Sequence, residues 1–298
     1  MQGIIDHLSA NGDAYDAVIA THNTTVALLA ALPPEHRPFR CAYYVQDYEP
    51  LFYPVGNPER QRAEDSYTAV EGLCCFTKST WNHRMLRDHH DVDAHIVGPS
   101  VDLDLFRPRR EKNPSASAER IAIAAMVRPA TPRRAPEQTF AALQRAAQRF
   151  GERVQVYSFG CTDDELQALP GAGSGLVHHL GVLDRQGMAD LLGRIDIFLD
   201  LSHFQAMGLT ALEAMISGCA TILPAKTGVS DFAMEDENAL LVDVSDAAAV
   251  DGALARLIDD ARLRETIQRT AVETACGYTC EEAAVRILEA VLSSAEEA

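Results

Sequence analysis

Two hydrophobic periods alternate along this chain. Short, nearly continuous apolar runs predict strands, and longer stretches with apolar residues every three or four positions predict helices. "YDAVIA" (15–20), "CAYYVQ" (41–46), "GLCCFT" (72–77) and "DAHIVG" (93–98) read as strands with helical segments between them. A second series follows: "IAIAAMV" (121–127), "RVQVYSF" (153–159), "LVHHL" (176–180), "DIFLDL" (196–201), "CATILP" (219–224) and "ALLVDV" (239–244). Helices are predicted over 136–150, which opens on Pro136 and stops before Gly151, and over 184–194 and 208–217. Apolar strands separated by helices predict an α/β fold whose parallel sheets are covered on both faces. The stretch 277–298 has apolar residues at helical spacing and predicts a last, amphipathic helix.

Between the two series, "VDLDLFRPRREKNPSASAER" is rich in Pro, Ser and charge and reads as a linker. The predicted domains are therefore 1–108, 109–276 and a C-terminal helix, 277–298, packing back toward the first. The first domain opens on a helix-like segment with no preceding strand or glycine-rich turn. Its four strands amount to about half of a doubly wound domain, so it is expected to be truncated at the front.

Composition narrows the partners. The 298 residues carry 26 Lys+Arg against 43 Asp+Glu, a formal net charge of −17, which argues against nucleic acid or an anionic membrane as partner. One basic cluster stands out, at Arg128, Arg133 and Arg134. Seven Cys at irregular spacing, with Cys74 and Cys75 adjacent, form neither a disulfide framework nor a paired zinc pattern, and point to a reducing cytoplasm. No apolar run approaches the ~20 residues that span a bilayer, so a cytoplasmic protein, at most peripheral at a membrane, is expected.

Candidate chemistry collects in the second domain. Ligands of parallel sheets sit at the carboxyl ends of the strands, and Arg128, Gly160, Ser202 and Pro224 directly follow strands. Gly208 opens a helix whose first N–H groups favour an anion such as a diphosphate. Glu213, about 7.5 Å further along the axis, is spaced to accept from ribose hydroxyls. An ordinary helix start with a solvated Glu213 is the alternative. Arg128 and Arg133 flank "PATP" and suit bidentate contact with a diphosphate, unless the loop is simply basic and solvated.

Several other signals are weaker. "HHDVDAH" (89–95) has metal-ligand residue types but lies between a helix and a strand, without a His pair at helical spacing, and reads as a polar turn. "VDLD" (101–104) imitates a metal-binding D-x-D. "GAGSG" (171–175) follows no strand and reads as a flexible loop. One of His178 and His179 is expected to face the core. Ser202 lacks the setting of a hydrolase nucleophile.

These stretches together resemble family 4 glycosyltransferases of the GT-B fold. "GPSVDLDLFRP" is similar to the family's interdomain "NGVDLDRFRP", and "VRPATPRR" to its R-x-x-x-x-K phosphate loop with Arg133 in the Lys position. "FQAMGLTALEAMISGCATI" resembles "EGFGLxxLEAMAxGxPVI", and "TGVSDFAMEDENALLVDVSD" resembles "GGxPE…G.NGLLVPP". The likeness runs from about Tyr15 to the C-terminus and is strongest from Val97 to Asp246. "YYVQDYEPLFYP" is most similar to the rhamnosyltransferase-like branch that builds bacterial surface polysaccharides.

The resemblance implies two Rossmann-like domains and retaining transfer from a nucleotide-sugar donor to a glycan or lipid-linked acceptor, without metal or cofactor, in some members at the inner membrane. It implies a hexose or deoxyhexose, with rhamnose first. Glu213 becomes the ribose-binding acid, Arg128 and Arg133 the diphosphate clamp, and the backbone of Met207, Gly208 and Leu209 a cradle for the distal phosphate. Gly160 falls near the nucleotide, and Val182 and Leu183 near the base. Gln205 takes the first acid position of the family's Glu, seven residues, Glu pattern, where the side chain meets sugar hydroxyls. Gln keeps an acceptor, adds a donor and loses the charge, which predicts altered donor preference. Gln46 stands where many members carry a His beside the reacting sugar, and Asp47 follows it. The glycine-rich first turn of the family is absent, which keeps open a nucleotide-binding protein without transfer activity. A nucleotide-sugar epimerase of the same architecture is the third reading.

Overall fold

In the computed structural model, which describes residues 2–108 and 120–292, a strand forms at every run read above as one; most are shorter than the run, and β2 begins one residue earlier, at Arg40. β1 (Ala17–Ala20), β2 (Arg40–Val45), β3 (Cys74–Thr77) and β4 (His95–Ile96) form a parallel sheet in that order. The helices of this part are α1 (Gln2–Asn11), α2 (Asn23–Ala30), α3 (Pro58–Ser66) and α4 (Thr80–His90). Local capping sets their ends: the His22 side chain accepts from Thr24 N at the start of α2, Ser79 accepts from Asn82 N at the start of α4, and Asp91 closes α4 in the left-handed region, φ 54°. The buried Glu49 accepts from Asn23 N and Nδ2 at 2.8 and 2.6 Å, tying the loop after β2 to the first residue of α2.

The second sheet is also parallel. Its strands are β5 (Ile121–Met126), β6 (Val154–Phe159), β7 (His178–His179), β8 (Ile197–Leu199), β9 (Ala220–Pro224) and β10 (Leu240–Val242), in the order β10-β9-β8-β5-β6-β7. Helices α5 (Pro136–Phe150), α6 (Asp163–Gln167), α7 (Arg185–Leu192), α8 (Leu209–Ile216), α9 (Ala247–Asp259) and α10 (Ala261–Ala275) accompany it. The two-residue period of the strands divides the core. Ile123 and Ala125 of β5 and Ile197 and Leu199 of β8 join one apolar cluster with Leu143, Leu254 and Leu257. Ala124 and Phe198 join the other, with Leu192, Leu212 and Met215. Helices α5, α7 and α8 match the helices expected over 136–150, 184–194 and 208–217 to within two residues at each end, whereas α6, α9 and α10 are not among those expected.

The last described helix, α11 (Cys280–Leu292), belongs with the first sheet: Ala290 and Val291 pack with Ala42, Cys74, Phe76 and Val97, and Cys74 Sγ donates to Ala290 O at 3.2 Å. The chain thus divides into residues 2–100 with 280–292, and residues 101–108 with 120–279. The crossings fall at 100/101 and 279/280 rather than at 108/109 and 276/277. The reason is packing. Val101 and Phe106, read as the start of a linker, are buried beside Phe159 and Phe198, and Val101 N donates to Tyr278 O at 2.9 Å. The remainder of the predicted linker, 109–119, lies outside the described residues.

Candidate functional site

In the second sheet the chain leaves β5 for β6 on one side, while β8 pairs with β5 on the other. The crevice at the carboxyl ends of β5 and β8 is therefore the topological switch point, where open α/β sheets bind ligands. The loops after these strands are joined directly. His203 N donates to Arg133 O at 2.9 Å, and Arg134 Nη1 donates to Ser202 Oγ at 3.3 Å and to Gln205 Oε1. On its other side the Gln205 amide donates from Nε2 to Asp200 Oδ2 at 3.0 Å. Asp200 Oδ1 accepts from Ser202 N at 3.0 Å and Ser202 Oγ at 2.6 Å. Asp200, Ser202 and Gln205 are all buried. Arg134 stands out in the sequence only as part of a basic cluster, without a role, and Asp200 does not stand out at all. The available signal was a lone acid closing the apolar run "DIFLDL".

The start of α8 is shaped by two glycines. Gly208, with φ +82°, would bring a Cβ to 2.9 Å from Val229 Cγ1 and 3.1 Å from Gln205 Nε2. At Gly228 a Cβ would sit 1.7 Å from Ala206 O, and Gly228 N donates to Gln205 O at 3.0 Å. The loops after β8 and β9 are thus in backbone contact, which only glycine permits at 228. Met207 is buried in the core, so its side chain faces away from solvent, whereas Leu209 is exposed.

Glu213 lies on the second turn of α8 and is only 7 % exposed, so the solvated alternative fails. Its carboxyl has no hydrogen-bond partner among the described residues. Burial pushes its pKa up to about 7, with the Arg185 guanidinium, at the start of α7, pulling the other way. On the far side of β5, Arg128 is exposed and Gly160, φ +105°, would bring a Cβ to 2.8 Å from Met126 Cγ and 3.6 Å from Arg128 Cγ. Arg133 is half-buried. Val182 is 68 % exposed, while Leu183, beside it, packs against the α7 and α8 side of the core.

Asp47 belongs to the other unit, in the loop after β2, where it accepts from Tyr48 N at 3.0 Å. Its charge opposes the effect of burial on Lys78, whose pKa is lowered and whose ammonium lies 5.4 Å from the Tyr44 ring centroid. Gln46 Nε2 donates to Thr21 O at 3.2 Å. The weaker signals have structural partners: Asp102 accepts from Leu105 N and pairs with Arg185 at 3.2 Å, and His179, the inward one, meets Ser158 Oγ and Cys161 O. His90 Nε2 lies 2.8 Å from Tyr48 Oη. Among the described residues no group of three or more His, Cys, Asp or Glu is arranged to hold a metal ion, and no helix is long and apolar enough to cross a membrane.

Residues 120–260 match the family described as Glycosyl transferases group 1. Over 260 residues the chain is 28 % identical to the O-antigen biosynthesis protein RfbC of Myxococcus xanthus, covering 85 % of this chain and 19 % of that protein. It is 28 % identical to a D-inositol 3-phosphate glycosyltransferase of Kribbella flavida, over 67 % of this chain and 51 % of the relative. The chain therefore spans about half, or less, of the length of these curated relatives. In fold it is similar to sucrose-phosphate synthase from Thermosynechococcus elongatus, with TM-score 0.79, 18 % identity and coverage of 96 % of this chain and 76 % of that one. It is similar as well to Anabaena HepE in complex with UDP, with TM-score 0.79, 15 % identity and coverage of 98 % and 82 %. The α/β architecture with two parallel sheets is that of GT-B glycosyltransferases.

Proposed function

On the premise that the chain carries a glycosyltransferase group 1 domain over residues 120–260, we propose that it transfers a hexose or deoxyhexose from a nucleoside-diphosphate sugar to a glycan or lipid-linked acceptor, with retention. One observation carries this reading: Glu213 is a largely buried residue whose carboxyl has no protein hydrogen-bond partner among the described residues, on the second turn of the helix that follows β8. Burial disfavours its charged form, and ribose hydroxyls supply donors that would favour it. The diphosphate then lies toward Gly208 and Leu209, where the helix start favours negative charge.

Departure of the nucleoside diphosphate builds charge on phosphate oxygens. Arg128, Arg133 and the first N–H groups of α8 stabilise that charge as it develops, which lowers the barrier more than it tightens ground-state binding. Val182 and Leu183 flank the base. In the first unit the candidate catalytic residue is Asp47, in the loop after β2. Rhamnose is the first sugar to try, and UDP, which HepE binds in its complex, joins dTDP as a first nucleotide.

The test is calorimetric titration with UDP, dTDP, GDP and ADP, followed by nucleoside-diphosphate release from matching sugar donors against a panel of acceptors. Binding of one nucleotide together with acceptor-dependent release is expected. No binding of any nucleotide at millimolar concentration overturns the reading, and binding without release in the presence of acceptors leaves a nucleotide-binding protein.

A further inference from the structure

We infer that Gln205 is a positioning residue rather than a sugar contact, and that Asp200 supplies the site's negative charge, so that the two together aim Arg134 at the donor's phosphates. This rests on the donor-site reading above and deepens it.

Both polar atoms of the Gln205 amide are already engaged within the protein. Oε1 accepts from Arg134, Nε2 donates to Asp200 Oδ2 at 3.0 Å, and the side chain is 1 % exposed. A sugar hydroxyl would have to displace one of these bonds. The same geometry explains why an amide stands here. A carboxylate at 205 would accept from Arg134 equally well, but its second oxygen would face the Asp200 carboxylate at hydrogen-bond distance with no proton between them, a like-charge contact in a buried place. Only a group that accepts on one side and donates on the other bridges Arg134 to Asp200. Gln at 205 is thus the consequence of Asp at 200.

Asp200 is held by its own loop. Its two oxygens receive Ser202 N, Ser202 Oγ and the Gln205 amide, three donors from its own loop. Across the set there is one cation and one anion, bridged by an amide, so the buried cluster carries no net charge. The charged side chains bonded to Gln205 are Arg134, from the loop after β5, and Asp200. The loop after β9 reaches its backbone through Gly228 N.

The consequence falls on Arg134. Its Nη1 is committed to Ser202 and Gln205, while Nε and Nη2 have no hydrogen-bond partner among the described residues on a side chain that is only half-buried. A guanidinium has five N–H donors in a rigid fork, so pinning one nitrogen orients the rest. At the mouth of the β5–β8 crevice that free edge suits an anionic diphosphate, beside Arg128 and Arg133.

The experiment compares wild type with Gln205→Glu, Asp200→Asn, the exchanged pair Asp200→Asn/Gln205→Glu, and Arg134→Ala. The first reading is thermal melting between pH 5 and pH 8 without ligand. Gln205→Glu should melt below wild type by a margin that grows with pH, as the second carboxyl is forced to ionise. The exchanged pair, which restores one acid and one amide in reversed order, should recover most of the loss. The second reading is the affinity for UDP, dTDP, GDP and ADP by calorimetry at pH 8. Gln205→Glu and Arg134→Ala should each weaken the best nucleotide about tenfold or more, and the exchanged pair should return to within roughly threefold of wild type. Equal melting of Gln205→Glu and wild type at pH 8, or an exchanged pair no better than Gln205→Glu, overturns the inference. If no nucleotide binds wild type while the melting pattern holds, the Asp200–Gln205–Arg134 bridge stands and the donor reading is what fails.

Discussion

At the residue scale, Glu213 shows how burial converts a carboxyl into a sensor of its ligand. With its pKa at about 7 in the folded chain, above the ordinary 4.5, the group supports folding fully at low pH, and that support is lost as pH rises through about 7. Over this interval the cost of ionising it is on the order of 3 kcal/mol. Glu213→Gln is therefore expected to remove most of the fall in stability between pH 5 and pH 8, measured by urea unfolding at each pH. A ligand whose hydroxyls donate to the carboxylate reverses the effect of burial. Nucleotide binding near pH 7 should then release a sizeable fraction of one proton, seen as a dependence of the calorimetric enthalpy on the buffer's ionisation heat. The variant should bind at least tenfold more weakly and release none. Proton release undiminished in Glu213→Gln would place the ribose elsewhere.

At the element scale, the site depends on three loops held at fixed distances by backbone contacts. Gly228 is the tightest of these. A methyl group there would overlap Ala206 O, so Gly228→Ala must push the loop after β9 away from the start of α8. A loss of about 3 kcal/mol or more is expected, with nucleotide affinity falling further than stability alone explains; denaturant midpoints and titration of the same preparation check it. The strands and helices that flank Arg133 and Leu183, and the helix that carries Glu213, are legible in the sequence because buried parallel strands are nearly continuous apolar runs and because Pro136, Gly151 and Gly208 punctuate them. The contacts that finish the site are not. Asp200 meets Gln205 through the fold of their shared loop, and Gly228 meets Ala206 because β8 and β9 lie in a particular register, Leu199 opposite Ile222; pattern along a chain reports neither loop fold nor register. The resemblance places Gln205 at a sugar-contact position, and sequence position does not show that Arg134 and Asp200 already engage both polar atoms of its amide. The linker reading of 101–108 failed for a related reason: charge and proline dominate its composition, while Val101 and Phe106 do the packing.

At the scale of the whole molecule, each sheet has its own core, but only one is built from contiguous chain. The sheet of β1 to β4 takes α11 from the far end, through Ala290 and Val291 against Phe76 and Val97. Removing residues 280–298 should therefore expose β3 and leave the second sheet intact. In hydrogen exchange the amides of β2 and β3 are expected to lose protection by tenfold or more, while those of β5 and β8 keep theirs. Equal loss in both sheets would mean that α11 supports the molecule in some other way.

The same helix sets an order of events during synthesis. The ribosome makes the first sheet's strands early, yet the helix that closes their core emerges after roughly 190 further residues, on the order of ten to forty seconds later at ordinary elongation rates. The unit that comes second in the sequence is then the first that can finish folding, and for that interval Cys74, Phe76 and Val97 wait without the cover of Ala290 and Val291, an apolar surface that a chaperone could hold.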